Sequence, residues 1–328
     1  MQKEVKSKLP FEPLLLIAPF FLWGTAMVAM KGTIPSTTPL FMAGVRLVPA
    51  GFLVLSVAIA LGRPAPKGLK AWLWIAFFAL VDGAMFQGFL AEGLVKTGAG
   101  LGSVMIDSQP LAVALLCAWL FGETIGLWGA IGLGLGIAGI SLIGLPSEWF
   151  WGLLQGETIS LSGDIGQLFQ NGQWLMLLAA LSMAIGTVTM RPLSKYADPV
   201  AATGWHMIIG GLPLWGLSAV TESEQWVHID ASGWMALAYS TVFGSAIAYG
   251  LFFYFAARGN LTSLSALTFL TPVFALLFSN LLLSETLSGL QSIGVCLTLA
   301  SIYLINQREA IALTLERLSS QDAEKSFL

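Results

Sequence analysis

The chain has 328 residues, 56% of them hydrophobic and only 10% charged, with a mean hydropathy of +0.80. A soluble globular protein carries about 25% charged residues, so this surface cannot face water, and disorder, a coiled coil and a cytosolic enzyme are excluded. A net charge of −3 offers nucleic acid no basic footprint, and Cys117 and Cys296 sit in apolar runs that suit neither a disulfide framework nor a zinc site.

The composition describes an all-α polytopic membrane protein. A spanning helix needs about 20 mostly apolar residues, and ten runs qualify: 12–30, 38–61, 71–93, 99–121, 125–145, 174–190, 199–220, 233–257, 263–283 and 287–305. The first run is too long for a signal-peptide core and lacks a small-residue cleavage site, so it is expected to be retained. It contains Leu22-Trp23-Gly24 and ends at Lys31. The second run opens at Pro39 and carries Arg46; the third holds Asp82 near its middle, then Gln87 and the surface pair Glu92 and Lys96. Asp107 and Pro110 lie in the fourth.

The fifth run fits the dinucleotide fingerprint GxGxxG over 134–139. No strand precedes it, and small residues at this spacing let membrane helices approach closely. Packing, not a nucleotide, is its expected purpose. An outer loop, 146–173, carries Trp149, Phe150 and Trp151, a cluster suited to anchoring at the water–lipid boundary. The second half presents His206 in its second run, Tyr249 in its third and Pro272 in its fourth, before a tail of 308–328 that mixes leucines with charges.

With the N-terminus in the cytoplasm, twelve of the 15 Lys and Arg fall in inner segments, two in outer loops, and Arg46 within a span. The positive-inside rule therefore places both termini in the cytoplasm of a cell whose inner, or plasma, membrane holds the protein.

The chain also matches itself. A shift of 160 sets Lys31 on Arg191, Pro39 on Pro199, Gly44 on Gly204 and Gly51 on Gly211. A shift of 162 then sets Trp72 on Trp234, Gly88 on Gly250, Pro110 on Pro272, Glu123 on Glu285 and Gly132 on Gly294. One five-helix unit is thus duplicated, as 12–145 and 174–307. An odd number of spans sends the second copy into the bilayer upside down, giving ten helices as two inverted repeats, a plan common among secondary transporters.

Leu22-Trp23-Gly24 with Lys31, Pro39 followed by Arg46, the stretch from Pro110 to Glu123 with its copy from Pro272 to Glu285, and Tyr249 to Arg258 resemble the EamA-like drug/metabolite transporters. The resemblance covers about 12–307. It implies a ten-helix exporter of small metabolites, amino acids or amphipathic compounds, with a central cavity between the halves.

Charges within a membrane are costly and usually mark a pathway. Arg46 and Asp107 each lie about eight residues from the outer end of their helix, hence at one depth. They are expected either to pair or to form two walls of a polar site. Trp23, Arg46, Asp82, Gln87, Asp107 and Tyr249 are the candidate substrate-binding residues. Asp82, Asp107 and His206 are candidate proton carriers, although a histidine simply hydrogen-bonded within the bundle is the plainer alternative for His206. Pro110 and Pro272 are candidate hinges, since a mid-helix proline frees a carbonyl. Glu123 and Glu285 suit helix capping. No metal and no cofactor are implied. The expected partners are a small-molecule substrate, the lipid bilayer and, for a coupled transporter, the proton. The rival reading is a membrane-embedded lipid-modifying transferase, but prenyl transfer needs clustered aspartates for magnesium, and Asp82 and Asp107 stand apart.

Overall fold

The computed structural model describes residues 12–122, 126–144, 170–256, 268, 270–284 and 288–326. Trp149, Phe150 and Trp151 of the long loop, and Glu123 and Glu285, lie outside the described residues.

Among the described residues the chain is helical throughout, without a strand. Helices α1 (Glu12–Thr33) and α2 (Pro39–Ala60) are followed by α3 (Gly68–Phe78) and α4 (Phe86–Lys96), which a π-helical stretch, Ala79–Met85, joins into one rod. Then come α5 (Ala99–Ile106), α6 (Gln109–Phe121) and α7 (Gly126–Gly144). The second half runs through α8 (Gly172–Leu193), α9 (Pro199–Thr221), α10 (Ala231–Tyr239), a second π stretch (Ser240–Ile247), α11 (Ala248–Ala256), α12 (Leu270–Leu283) and α13 (Gly289–Ser326).

Among the described residues, six helical stretches are long and apolar enough to cross a membrane: Leu14–Ser36, Pro39–Ala60, Gly68–Lys96, Ala99–Phe121, Gly172–Leu193 and Ala231–Phe255. Shorter apolar helices occupy Gly126–Gly139, Leu270–Leu283 and Gly289–Ile305. Helix α9 has 23 residues, but His206 and its glycines and prolines dilute it. The chain is a multi-pass membrane protein.

Side chains close several helix starts. Asn171 accepts from the N–H groups of Gln173 and Trp174, and Asp198 from those of Val200 and Ala201. Asp230 accepts from the N–H of Gly233 at 2.8 Å and from the hydroxyl of Ser232, and these bonds hold its carboxyl below the usual range. The start of α2 is capped from the other half. Glu222, just past α9, accepts from the Thr38 hydroxyl (2.6 Å) and from the N–H groups of Leu40 and Phe41 (2.9 and 3.0 Å). At the opposite end of this helix pair, Arg63 meets Asp198 at 3.4 Å.

Between those clamps α2 and α9 lie antiparallel and very close. A Cβ on Gly44 would meet Trp215, one on Gly211 would meet Val48, and one on Gly51 would lie 2.7 Å from the carbonyl oxygen of Gly204. Helices α7 and α13 pair in the same manner. Gly132 faces Ser301 and Ile305, and Gly139 faces Gly294 and Thr298, whereas Gly134 looks into open space. The glycines of 134–139 are therefore divided between a packed face and an open one.

Exchanging the two halves preserves most of the packing scheme. Helix α1 packs on α12 as α8 packs on α5 and α6. It packs on the α10–π–α11 rod as α8 packs on the α3–π–α4 rod. Helix α2 meets the second π stretch as α9 meets the first. The π stretches themselves correspond, because the shift of 162 carries 79–85 onto 241–247.

One contact in this scheme is between backbones. A Cβ on Gly210 would lie 2.5 Å from the Cα of Gly83 and 2.6 Å from the carbonyl oxygen of Ala79, where nothing can rotate aside. Gly210→Leu is expected to destabilise the protein by about 3 kcal/mol or more. Thermal unfolding in detergent should show this as a large drop, while Gly134→Leu leaves the midpoint nearly unchanged.

The fourth run is not one uninterrupted helix. It breaks at Asp107 and Ser108, and Pro110 sits in the first turn of α6, where a missing N–H leaves no bond unmade. Pro272 likewise falls in the first turn of α12. The bend near Pro110 thus lies before the proline, not at an interior kink.

Candidate functional site

A cavity of ≈ 50 Å³ lies between the halves, walled by α1, α2, α4, α5, α8, the second π stretch, α11 and α12. Its polar wall consists of Trp23, Arg46, Ser103, Asp107, Tyr249 and Thr271, set among Met27, Met30, Phe86, Leu90 and Met183. A space of this size holds only a few water molecules. A larger occupant requires the walls to move apart.

Arg46 is the cavity's cation. It lies on the face of α2 that meets the second π stretch, and it is 3% exposed. One guanidinium nitrogen, Nη1, donates to the Ser245 hydroxyl at 3.3 Å, and Nη2 donates to Oε1 of Gln87. Gln87 donates in turn to the Tyr249 hydroxyl at 2.9 Å. The chain Arg46–Gln87–Tyr249 therefore fixes the guanidinium with one side chain from each half. Nε of Arg46 is buried and has no hydrogen-bond partner among the described residues. The same is true of the Trp23 indole nitrogen and the Thr271 hydroxyl, both on the same cavity. Native proteins satisfy most buried polar groups, and these three belong to residues that line one space.

Asp107 supplies the opposite charge. It is held where α5 ends, and Ser103, one turn back, donates to its Oδ2 at 3.3 Å. It is 8% exposed and forms no ion pair with Arg46 among the described residues. The two residues line one cavity without forming a bonded pair.

Asp82 is elsewhere. The first π stretch presents it to α9, where its Oδ2 lies 3.2 Å from Nε2 of His206, both side chains being 1% exposed. This is a close polar contact, not an aligned hydrogen bond. The other ring nitrogen, Nδ1, lies 2.6 Å from the carbonyl oxygen of Thr203. Phe78 lies over the imidazole at 4.1 Å between ring centres, and Gly186 of α8 leaves room for the carboxylate.

Of the sequence-derived site residues, Trp23, Arg46, Asp107 and Tyr249 come together on the cavity wall. Gln87 stands behind that wall as a bridge, and Asp82 and His206 form a separate pair. Asp82 is thus not a wall residue of this cavity. Ser103, Ser245 and Thr271 were not singled out from the sequence. Serine and threonine in apolar helices commonly bond their own backbone, so only the spacing of Ser103 to Asp107, one turn apart, carried a signal.

The sequence model of the EamA-like transporter family matches residues 11–145 and, separately, 170–307. The chain is 63% identical over 309 residues to an uncharacterized transporter of Synechocystis sp., covering 94% of this chain and 93% of that one. It is 52% identical over 296 residues to a WAT1-related chloroplastic protein of Arabidopsis thaliana, covering 89% and 68% of the two chains. A crystal structure of a protein 17% identical superposes with a TM-score of 0.63 over 89% of this chain and 96% of that one, which shows a shared fold.

Proposed function

This chain belongs to the EamA-like transporter family, and from that premise we propose that it exports small zwitterionic metabolites across the inner membrane by alternating access. It does so as a secondary-active or facilitative carrier. Ten spans, arranged as two inverted five-helix repeats with both termini in the cytoplasm, surround the cavity. The duplicated family match, the exchange-symmetric packing and the twelve-to-two bias of basic residues support this arrangement.

The observation that carries the substrate class is the cavity wall. It holds unpartnered donors at Arg46 and Trp23, a carboxylate at Asp107, and no bond between the two charges. Burying opposite charges without joining them is costly, and a ligand bearing both charges answers both. Its carboxylate accepts from Nε of Arg46 and the Trp23 indole, while its ammonium faces Asp107. A highly anionic substrate such as a sugar phosphate would need further cations on this wall, and among the described residues Arg46 alone lines it. The separation of the two intramembrane aspartates, one on the cavity and one against His206, also suits transport better than metal-assisted lipid transfer.

A binding panel tests this reading. L-Alanine and other small zwitterions should raise the unfolding temperature of the purified protein, whereas their methyl esters and N-acetyl forms should not. Asp107→Asn should shift the preference towards the N-acetyl forms. Equal stabilisation by esters and N-acetyl forms would remove the zwitterion reading. Trp23→Phe loses only the indole donor, and a bond to a charged acceptor contributes about 1.5–3 kcal/mol. Its expected effect is roughly a 10- to 100-fold weaker apparent affinity, read by titrating the same panel.

A further inference from the structure

We propose that Asp82 and His206 form a binding site for one proton, apart from the substrate cavity, whose loading is coupled to the switch between inward and outward states. The proposal rests on the alternating-access reading above.

The proton count follows from geometry. Nδ1 of His206 faces a carbonyl oxygen at 2.6 Å, and a carbonyl can only accept, so that nitrogen carries its hydrogen. One proton then remains to be distributed between Nε2 and the Asp82 carboxylate, which lie 3.2 Å apart. With that proton the pair is neutral overall. Without it the pair holds one negative charge in an apolar interior, among Phe78, Phe253 and Gly186. Such a charge is too costly to keep unless water reaches it.

Position supplies the coupling. The shift of 160 carries Arg46 onto His206, and the shift of 162 carries Asp82 onto Gly244. Arg46 and Gly244 face the cavity, whereas His206 and Asp82, their counterparts, are sealed. If the halves exchange conformations, the space around Arg46 closes and the space around the pair opens, so water's access to the proton changes with the state of the carrier.

The groups around the pair permit a link to the substrate. Helix α8 brings Gly186 and α3 brings Phe78, neither of them titratable. Helix α11 brings Tyr249, its ring centre 6.4 Å from that of His206, and Tyr249 connects through Gln87 to Arg46 on α2. Ring packing at Tyr249 thus places the proton site beside the hydrogen-bonded chain that ends on the cavity cation.

The test uses the full chain in proteoliposomes with labelled L-alanine. In the wild type, a gradient of one pH unit should drive accumulation of up to about tenfold, the limit for one proton per substrate. Asp82→Asn should abolish that accumulation while counterflow at equal pH stays within about threefold of wild type. Should Asp82→Asn fail to fold, a wild-type readout remains: one proton should cross per alanine, detected by an enclosed pH dye. Accumulation that persists in Asp82→Asn, or net wild-type alanine flux without proton movement, overturns the coupling site and leaves the transport reading standing. Absence of wild-type counterflow overturns both.

Discussion

Arg46→Ala is expected to lower the initial transport rate about 100-fold or more, the effect of removing roughly 3 kcal/mol of charge-assisted bonding. The substitution acts at three places. It removes the cavity's cation, it leaves Gln87 and Ser245 without their shared donor, and it leaves Asp107 facing a wall with no positive charge. Loss of a buried partner also destabilises by about 1–3 kcal/mol, so rates are to be normalised to folded protein measured by size-exclusion profile. Arg46→Lys keeps the charge but not the planar fork that reaches both Ser245 and Gln87, and should fall between wild type and Arg46→Ala. Combining Arg46→Ala with Asp107→Asn should not restore transport, because the two charges hold different ends of the ligand. Restored transport in the double variant would reduce them to mutual neutralisation.

Cysteines at repeat-equivalent turns should be labelled from opposite sides of the membrane. Ser36 lies in the turn between α1 and α2, and Tyr196, its counterpart at a shift of 160, lies in the turn between α8 and α9. In a background without Cys117 and Cys296, Ser36→Cys is expected to react with an impermeant maleimide applied outside intact cells. Tyr196→Cys is expected to react only after the membrane is opened. The outcome is all or none, since an odd number of spans separates the two turns in the inverted arrangement. Labelling of both from one side would end the inverted-repeat account and the alternating-access argument with it.

Much of this architecture is legible in the residues. Apolar runs, bounded by polar or Gly/Pro-rich links, locate the helices because the bilayer fixes their length. The duplicated pairs, such as Gly51 with Gly211, mark positions where close packing admits only glycine, and the structure places Gly51 against the backbone of α9. Trp23, Arg46, Asp107 and Tyr249 were recognisable because polar or aromatic groups inside a span need a reason to be there.

What the residues conceal is rotation. Sequence spacing gives depth, and Arg46 and Asp107 do line one cavity, but contact also depends on which way each face is turned. An α-helix turns about 100° per residue, so each local irregularity redirects everything beyond it. The break at Asp107 and Ser108 and the π stretch Ala79–Met85 are both of this kind. The second of these turns Asp82 onto α9 and away from the cavity, which is why its meeting with His206 could not be read from depth. Nothing in the sequence of 79–85 or 240–247 distinguishes a π stretch from an ordinary helix. Only their coincidence under the repeat, once seen, shows that they are built in.

The central claim is that the cavity between the halves carries a small zwitterion across the membrane, and counterflow tests it most directly. Proteoliposomes loaded with unlabelled L-alanine should take up external labelled L-alanine transiently and saturably, at a rate that falls about 100-fold in Arg46→Ala. Uptake that does not saturate, that shows no overshoot when alanine is loaded inside, or that is unchanged in Arg46→Ala would contradict the account.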